Sequence, residues 1–111
     1  MTINFTQYQE QAMRTAKVGS TDFDLMHAAY GVSGEAGEFV DCIKKAQVYG
    51  RTLDHEHAAE ELGDILWFVA LGCKALGVSM NDVAEQNIEK LRVRYPEKYS
   101  DALANERLDK V

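Results

Sequence analysis

Ser33-Gly34-Glu35-Ala36-Gly37-Glu38-Phe39 and Glu60-Glu61-Leu62-Gly63-Asp64-Ile65-Leu66-Trp67 carry the same pattern. Each holds two carboxylates three residues apart, Glu35 with Glu38 and Glu61 with Asp64, among apolar neighbours. On an α-helix that spacing puts both side chains on one face, a turn apart. Two such helices packed side by side bring four carboxylates together. Two like charges about 4 Å apart repel by roughly 4 kcal/mol at an effective dielectric near 20. A small domain is stable by only about 5–15 kcal/mol. Four crowded carboxylates therefore need a proton, a basic partner or a bound cation. Oxygen donors with no Cys or His at the same spacing suit a hard ion, Mg²⁺ or Mn²⁺. Such pairs are also common on solvated helix faces, so spacing alone leaves both readings standing.

Outward from the first pair, Phe23, Met26, Ala29, Tyr30, Phe39, Val40 and Ile43 predict a long helix over about 22–49, stopped by Gly50. Gly31, Gly34 and Gly37 recur every third residue inside it. Each interior glycine costs up to about 1 kcal/mol. Three imply close approach of another backbone or a ligand, or a kink. Around the second pair, Ala58, Leu62, Ile65, Leu66, Val69, Ala70 and Cys73 predict a helix over 55–76, capped by Asp54 and ended by Gly77. Before both, Phe5, Tyr8, Ala12, Met13 and Ala16 predict a helix over 5–17, capped by Asn4. After both, a fourth helix runs to Arg94 and stops before Pro96, with one weak turn near 102–108. The expected fold is all-α: a single domain over 1–111, a four-helix bundle-like protomer with antiparallel helices and short connections. The apolar faces of the second and third helices are broader than so short a chain covers, which predicts self-association.

The formal charge of −6, from 12 basic and 18 acidic residues, argues against a nucleic-acid polymer as partner. It does not exclude a mononucleotide held through a metal and a few local cations. Cys42 and Cys73 read as small buried apolar residues and not as a disulfide framework. With no basic-then-apolar leader and no run near ~20 apolar residues, the expectation is a cytoplasmic protein without a membrane segment.

Several residues admit two readings. Asn87, Lys90 and Arg94 align on the fourth helix as a phosphate-binding row, and equally as a solvated face. Trp67, one turn after Asp64, can border the same site and stack on a nucleobase, or serve as core. Lys44 and Lys45 follow the first acidic pair by two turns. His57 and Glu61 are four apart and could share a metal, but no second His completes that set, and a solvated first turn is the plainer reading. His27 reads as a packed helix residue, and Tyr95 and Tyr99 as anchors for the tail. There is no Gly-Lys-Ser/Thr phosphate loop and no Ser-His-Asp arrangement, so metal-activated water is favoured over a side-chain nucleophile.

From Tyr8 to Pro96 the chain resembles the MazG-like all-α nucleoside triphosphate pyrophosphohydrolases. Three blocks carry the resemblance: Gly34 to Glu38, Glu60 to Phe68, and Asn87 to Pro96. Each of the acidic blocks is a weak pattern by itself; the three in this order and spacing are specific. The chain has Gly34 where many members carry a further Glu, so the resemblance does not set the number of metal ions.

The resemblance implies hydrolysis of a (d)NTP to its monophosphate and pyrophosphate, a Mg²⁺ requirement, and a homodimer or homotetramer. Relatives in the superfamily act on dUTP, dCTP or phosphoribosyl-ATP. The ligands it carries over are Glu35, Glu38, Glu61 and Asp64. Glu38 would orient or deprotonate the water. Lys90, with Lys45 and Arg94, would stabilise phosphate charge, and Asn87 would bond a phosphate or sugar oxygen. Two other classes stay open. One is a non-catalytic helical module that binds nucleotides or a partner helix. The other is a carboxylate-bridged iron protein, which usually wants Glu-x-x-His where this chain has Glu-x-x-Asp.

Overall fold

The computed structural model describes residues 1–110. Among them the chain is all-helical: α1 Phe5–Met13, α2 Thr21–Gln47, α3 His55–Leu76, α4 Met80–Arg94, α5 Asp101–Glu106, and a 3-10 turn Leu108–Lys110. It divides into two compact units, Met1–Met80 and the residues from Asn81 onward. No single helix among the described residues is long and apolar enough to cross a membrane.

Local chemistry explains where the helices begin and end. Asn4 Oδ1 accepts from the Gln7 amide at 2.8 Å, and Gln7 Oε1 accepts from the Asn4 amide at 3.0 Å, a reciprocal cap for α1. Ser20 Oγ caps α2 through the Phe23 amide, and Asp54 Oδ1 caps α3 through the His57 amide. Asp22 and Asp24 sit in the first turn of α2 and Lys44 and Lys45 in its last, matching the helix dipole. Gly77 closes α3 at φ 70°, a left-handed conformation that glycine adopts without Cβ strain.

Two boundaries fall short of expectation: α2 ends at Gln47, two residues before Tyr49, and α1 ends earlier still relative to its expected span. The first helix was expected to reach Lys17, but α1 stops at Met13. The Thr15 amide and its Oγ1 both bond the Ala12 carbonyl, and Ala16 bonds Met13. The hydroxyl competes for the carbonyl that would carry the helix on.

In the first unit α2 and α3 form the principal packed pair, and α1 lies on α3. The α2–α3 contacts run in opposite senses along the two helices. Asp24 meets Lys74, Ala28 lies under Gly72, Gly31 under Phe68, and Glu35 reaches Glu61. The pair is therefore antiparallel, as expected. Of the three glycines in α2, Gly31 alone is required by packing: a Cβ there would overlap the Phe68 ring. Gly34 and Gly37 face nothing within 4 Å, so the close approach expected there is not made within the described chain. The core is small. Ala70, Leu71, Cys73 and Ala28 are buried, while Tyr30, Val40 and Leu62 remain 71%, 60% and 49% exposed.

In the second unit, Arg94 forks onto Asp109, with Nε to Oδ1 at 2.7 Å and Nη2 to Oδ2 at 2.8 Å. Tyr95 and Tyr99 pack with ring centroids 5.3 Å apart, and the Tyr99 hydroxyl donates to Asp101. Ser100 caps α5. The tail is thus fastened by an ion pair as well as by the two tyrosines.

Candidate metal centre

The antiparallel register of α2 and α3 sets one acidic turn against the other. Glu35 from α2 and Glu61 and Asp64 from α3 each offer an oxygen, all within 4.8 Å of one another. Glu61 is buried, Glu35 half-buried and Asp64 exposed, so the cluster opens to solvent on the Asp64 side. Around an octahedral Mg²⁺ with bonds near 2.1 Å, ligand oxygens stand roughly 3 to 4.2 Å apart. Three oxygens already within 4.8 Å reach that geometry by small side-chain adjustments.

The electrostatics carry the mark of crowding. The Glu35 carboxyl is held above the ordinary glutamate range, first by desolvation and then by a hydrogen bond with Glu61. The charges of Asp64, Glu61 and Glu38 add to the effect. A raised carboxyl pKa among like charges is how a protein without its cation relieves the repulsion. The residues present therefore fit a hard divalent ion. Glu38 lies outside the three-oxygen cluster and is exposed, yet near enough for its charge to act on Glu35.

Beside this cluster lies a cavity of about 600 Å³, lined by Ile3, Tyr8, Ala12, Thr15 and Trp67 among others. Tyr8 connects the two: burial, and then the Asp64 charge, pushes its hydroxyl pKa up. Trp67 is fixed in the cavity wall. Its indole Nε1 donates to the Ala12 carbonyl at 3.2 Å and to Thr15 Oγ1 at 2.9 Å. Its ring meets Phe68 edge-on at 5.0 Å, and His27 packs against Phe23, Trp67 and Phe68. Trp67 therefore holds α1 onto α3. Trp67→Phe is expected to lower stability by about 1 kcal/mol, the scale of a net hydrogen bond, measured by urea unfolding.

Of the basic candidates, Lys44, Lys45 and Arg94 are paired with carboxylates. Lys45 pairs with Asp41 at 3.1 Å, and Lys44 lies 3.6 Å from the same carboxylate. Asn87, Lys90 and Arg94 belong to α4 in the second unit. There Arg94 is held by Asp109, and the Lys90 charge lowers the pKa of neighbouring Lys110.

One donor set goes beyond the sequence reading. Cys42, read as core, offers its Sγ to His57 and Glu61. The signal was available. Cys42 lies two helical turns after Glu35, and His57 two turns before Asp64. On antiparallel helices whose acidic turns meet, those two positions must also meet.

The comparisons with known proteins agree with this helical, acidic arrangement. A family model described as the MazG nucleotide pyrophosphohydrolase domain matches residues 23–99, a span containing both acidic turns and the Asn87–Arg94 row. The Gene 37 protein of Mycobacterium phage L5 is 33% identical over 96 residues, covering 78% of this chain and 84% of that protein. No solved structure matches the chain. The family match covers well over half of the sequence, and the chain belongs to the MazG nucleotide pyrophosphohydrolase family.

Proposed function

We propose that the protein is a Mg²⁺-dependent pyrophosphohydrolase that converts a nucleoside triphosphate to its monophosphate and pyrophosphate. The observation that carries this reading is the convergence of Glu35 with Glu61 and Asp64 across two helices. When bound, Mg²⁺ (or Mn²⁺) supplies a Lewis acid for the triphosphate oxygens and acidifies water.

The chain's own residues do the rest. Glu35, Glu61 and Asp64 hold the cation. Glu38, close to them but free of the three-oxygen cluster, accepts the proton of the attacking water. Lys90 and Asn87 contribute donors to the phosphates, Lys45 does so by exchanging Asp41, and Arg94 by exchanging Asp109. The cavity beside Tyr8 and Trp67 has the volume of a small-molecule site and receives the base. The exposed Tyr30, Val40 and Leu62 are covered by a second copy of the chain, in a homodimer or homotetramer.

A panel of ribo- and deoxyribonucleoside triphosphates with Mg²⁺, scored separately for pyrophosphate and orthophosphate, tests the reading. Pyrophosphate release is expected. Orthophosphate release alone, or binding without turnover, refutes it.

The raised Glu35 pKa adds a pH prediction. The folded state holds the Glu35 proton more tightly than the unfolded chain does, so metal-free protein gains stability as pH falls from neutral towards the ordinary carboxylate range. Asp41 and Asp109, whose pKa values are lowered, keep their contributions across that window. Mg²⁺ must displace the Glu35 proton, so apparent Mg²⁺ affinity weakens over the same window. Thermal melts with and without Mg²⁺ at several pH values are expected to show the Mg²⁺-dependent shift shrinking as pH drops.

A further inference from the structure

Cys42, His57 and Glu61 form a donor set of a different character from the carboxylate cluster. A thiol sulfur, a ring nitrogen and a carboxylate oxygen lie within 4.8 Å of one another. His57 Nε2 stands 3.3 Å from Glu61 Oε1. Nitrogen and oxygen ligands of a tetrahedral Zn²⁺, at about 2.0–2.2 Å from the ion, are separated by roughly 3.4 Å. His57 and Glu61 therefore already span one edge of such a tetrahedron. The other ring nitrogen, Nδ1, lies 3.8 Å from Glu60 Oε2. Nε2 is thus the ring nitrogen nearer a second donor, Glu61, and the one placed to ligate a metal beside it.

Access is provided as well. A cavity of about 300 Å³ is lined by Cys42, His57 and Asp54, together with Lys45, Arg51 and Thr52. Of the three donors, buried Cys42 and exposed His57 line the cavity, and buried Glu61 lies within 4.8 Å of both.

We propose that this cavity binds a thiophilic divalent cation of the Zn²⁺ class through Cys42, His57 and Glu61, with water as the fourth ligand. Sulfur and imidazole select Zn²⁺ over Mg²⁺. On binding, the Cys42 S–H bond breaks, a sulfur–metal bond forms, and the proton passes to solvent. Glu61 belongs to both donor sets. A Zn²⁺ ion on the Cys42 side draws Glu61 away from Glu35 and Asp64, so Zn²⁺ antagonises Mg²⁺-supported hydrolysis. This second consequence rests on the function proposed above; the metal site itself does not.

The test uses the full chain stripped of metal and titrated with Co²⁺ in excess Mg²⁺. A thiolate-to-cobalt charge-transfer band with tetrahedral visible bands is expected, both displaced by Zn²⁺. Cys42→Ser is expected to abolish the charge-transfer band, while Cys73→Ser keeps it. Should the buried Cys42→Ser variant fold poorly, His57→Ala, a change at an exposed side chain, is expected to weaken Co²⁺ binding at least about tenfold. No charge-transfer band in the unaltered chain, or a band unchanged in both Cys42→Ser and His57→Ala, overturns the site. These optical readouts do not depend on nucleotide turnover, so failure of the proposed function is not confused with failure of the site. In the hydrolysis assay, inhibition by Zn²⁺ that is relieved in His57→Ala supports the coupling through Glu61. Inhibition equally strong in that variant overturns it.

Discussion

Asp64→Asn is expected to lower pyrophosphate release at saturating Mg²⁺ by at least about 100-fold, within the range that removal of a catalytic group typically costs. Asparagine keeps the shape of the side chain and removes its charge. Asp64 is exposed, so the substitution opens no cavity. Its charge raises the Glu35 pKa, so its removal relieves repulsion in the metal-free protein. The melting temperature without metal is accordingly expected to hold or rise, while the Mg²⁺-induced increase shrinks. Lost activity with preserved folding separates a ligand from a structural residue. Wild-type turnover in this variant would falsify the assignment of the carboxylate cluster.

Gly31→Ala is expected to destabilise the chain by about 1–3 kcal/mol, the usual range for overpacking. Alanine is the better helix former by about 1 kcal/mol, so propensity alone predicts the opposite sign. Sterics decide. The added methyl would overlap Cγ, Cδ1 and Cε1 of Phe68. That half-buried ring is itself backed edge-on by Trp67 at 5.0 Å and by His27 at 5.3 Å, so both neighbours resist its displacement. A fall in melting temperature on the order of 5–10 °C is expected. Gly34→Ala, with nothing within 4 Å, is the control and is expected to stabilise the isolated protomer. A loss of stability there, together with dissociation in a sedimentation experiment, would locate a subunit contact on α2.

These two glycines show what sequence conveys and what it does not. The period of three marked a special stretch of helix, but Gly31 and Gly34 look alike until the register against α3 is known. Where a signal was local, reading it sufficed. Asp54 and Gly77 bound α3 at His55–Leu76, as expected from capping chemistry. Where the deciding partner is distant, it did not. Asp109, fifteen residues beyond Arg94, occupies the guanidinium expected to face phosphate. Trp67 does line the cavity beside the acidic turn, but the partners that fix it there, Ala12 and Thr15, stand more than fifty residues earlier. The acidic spacing brought Glu35, Glu61 and Asp64 to one point, but helical period alone could not tell that Glu38 stands off from it.

The position of Trp67 equips the chain with its own optical reporter. It is the sole tryptophan, and its indole is hydrogen-bonded to the C-terminal end of α1. Detachment of α1 exposes the ring to water and shifts its emission to the red, even while α2 and α3 stay paired. Fluorescence therefore times the opening of the wall beside the acidic cluster, independently of the unwinding of the helices themselves.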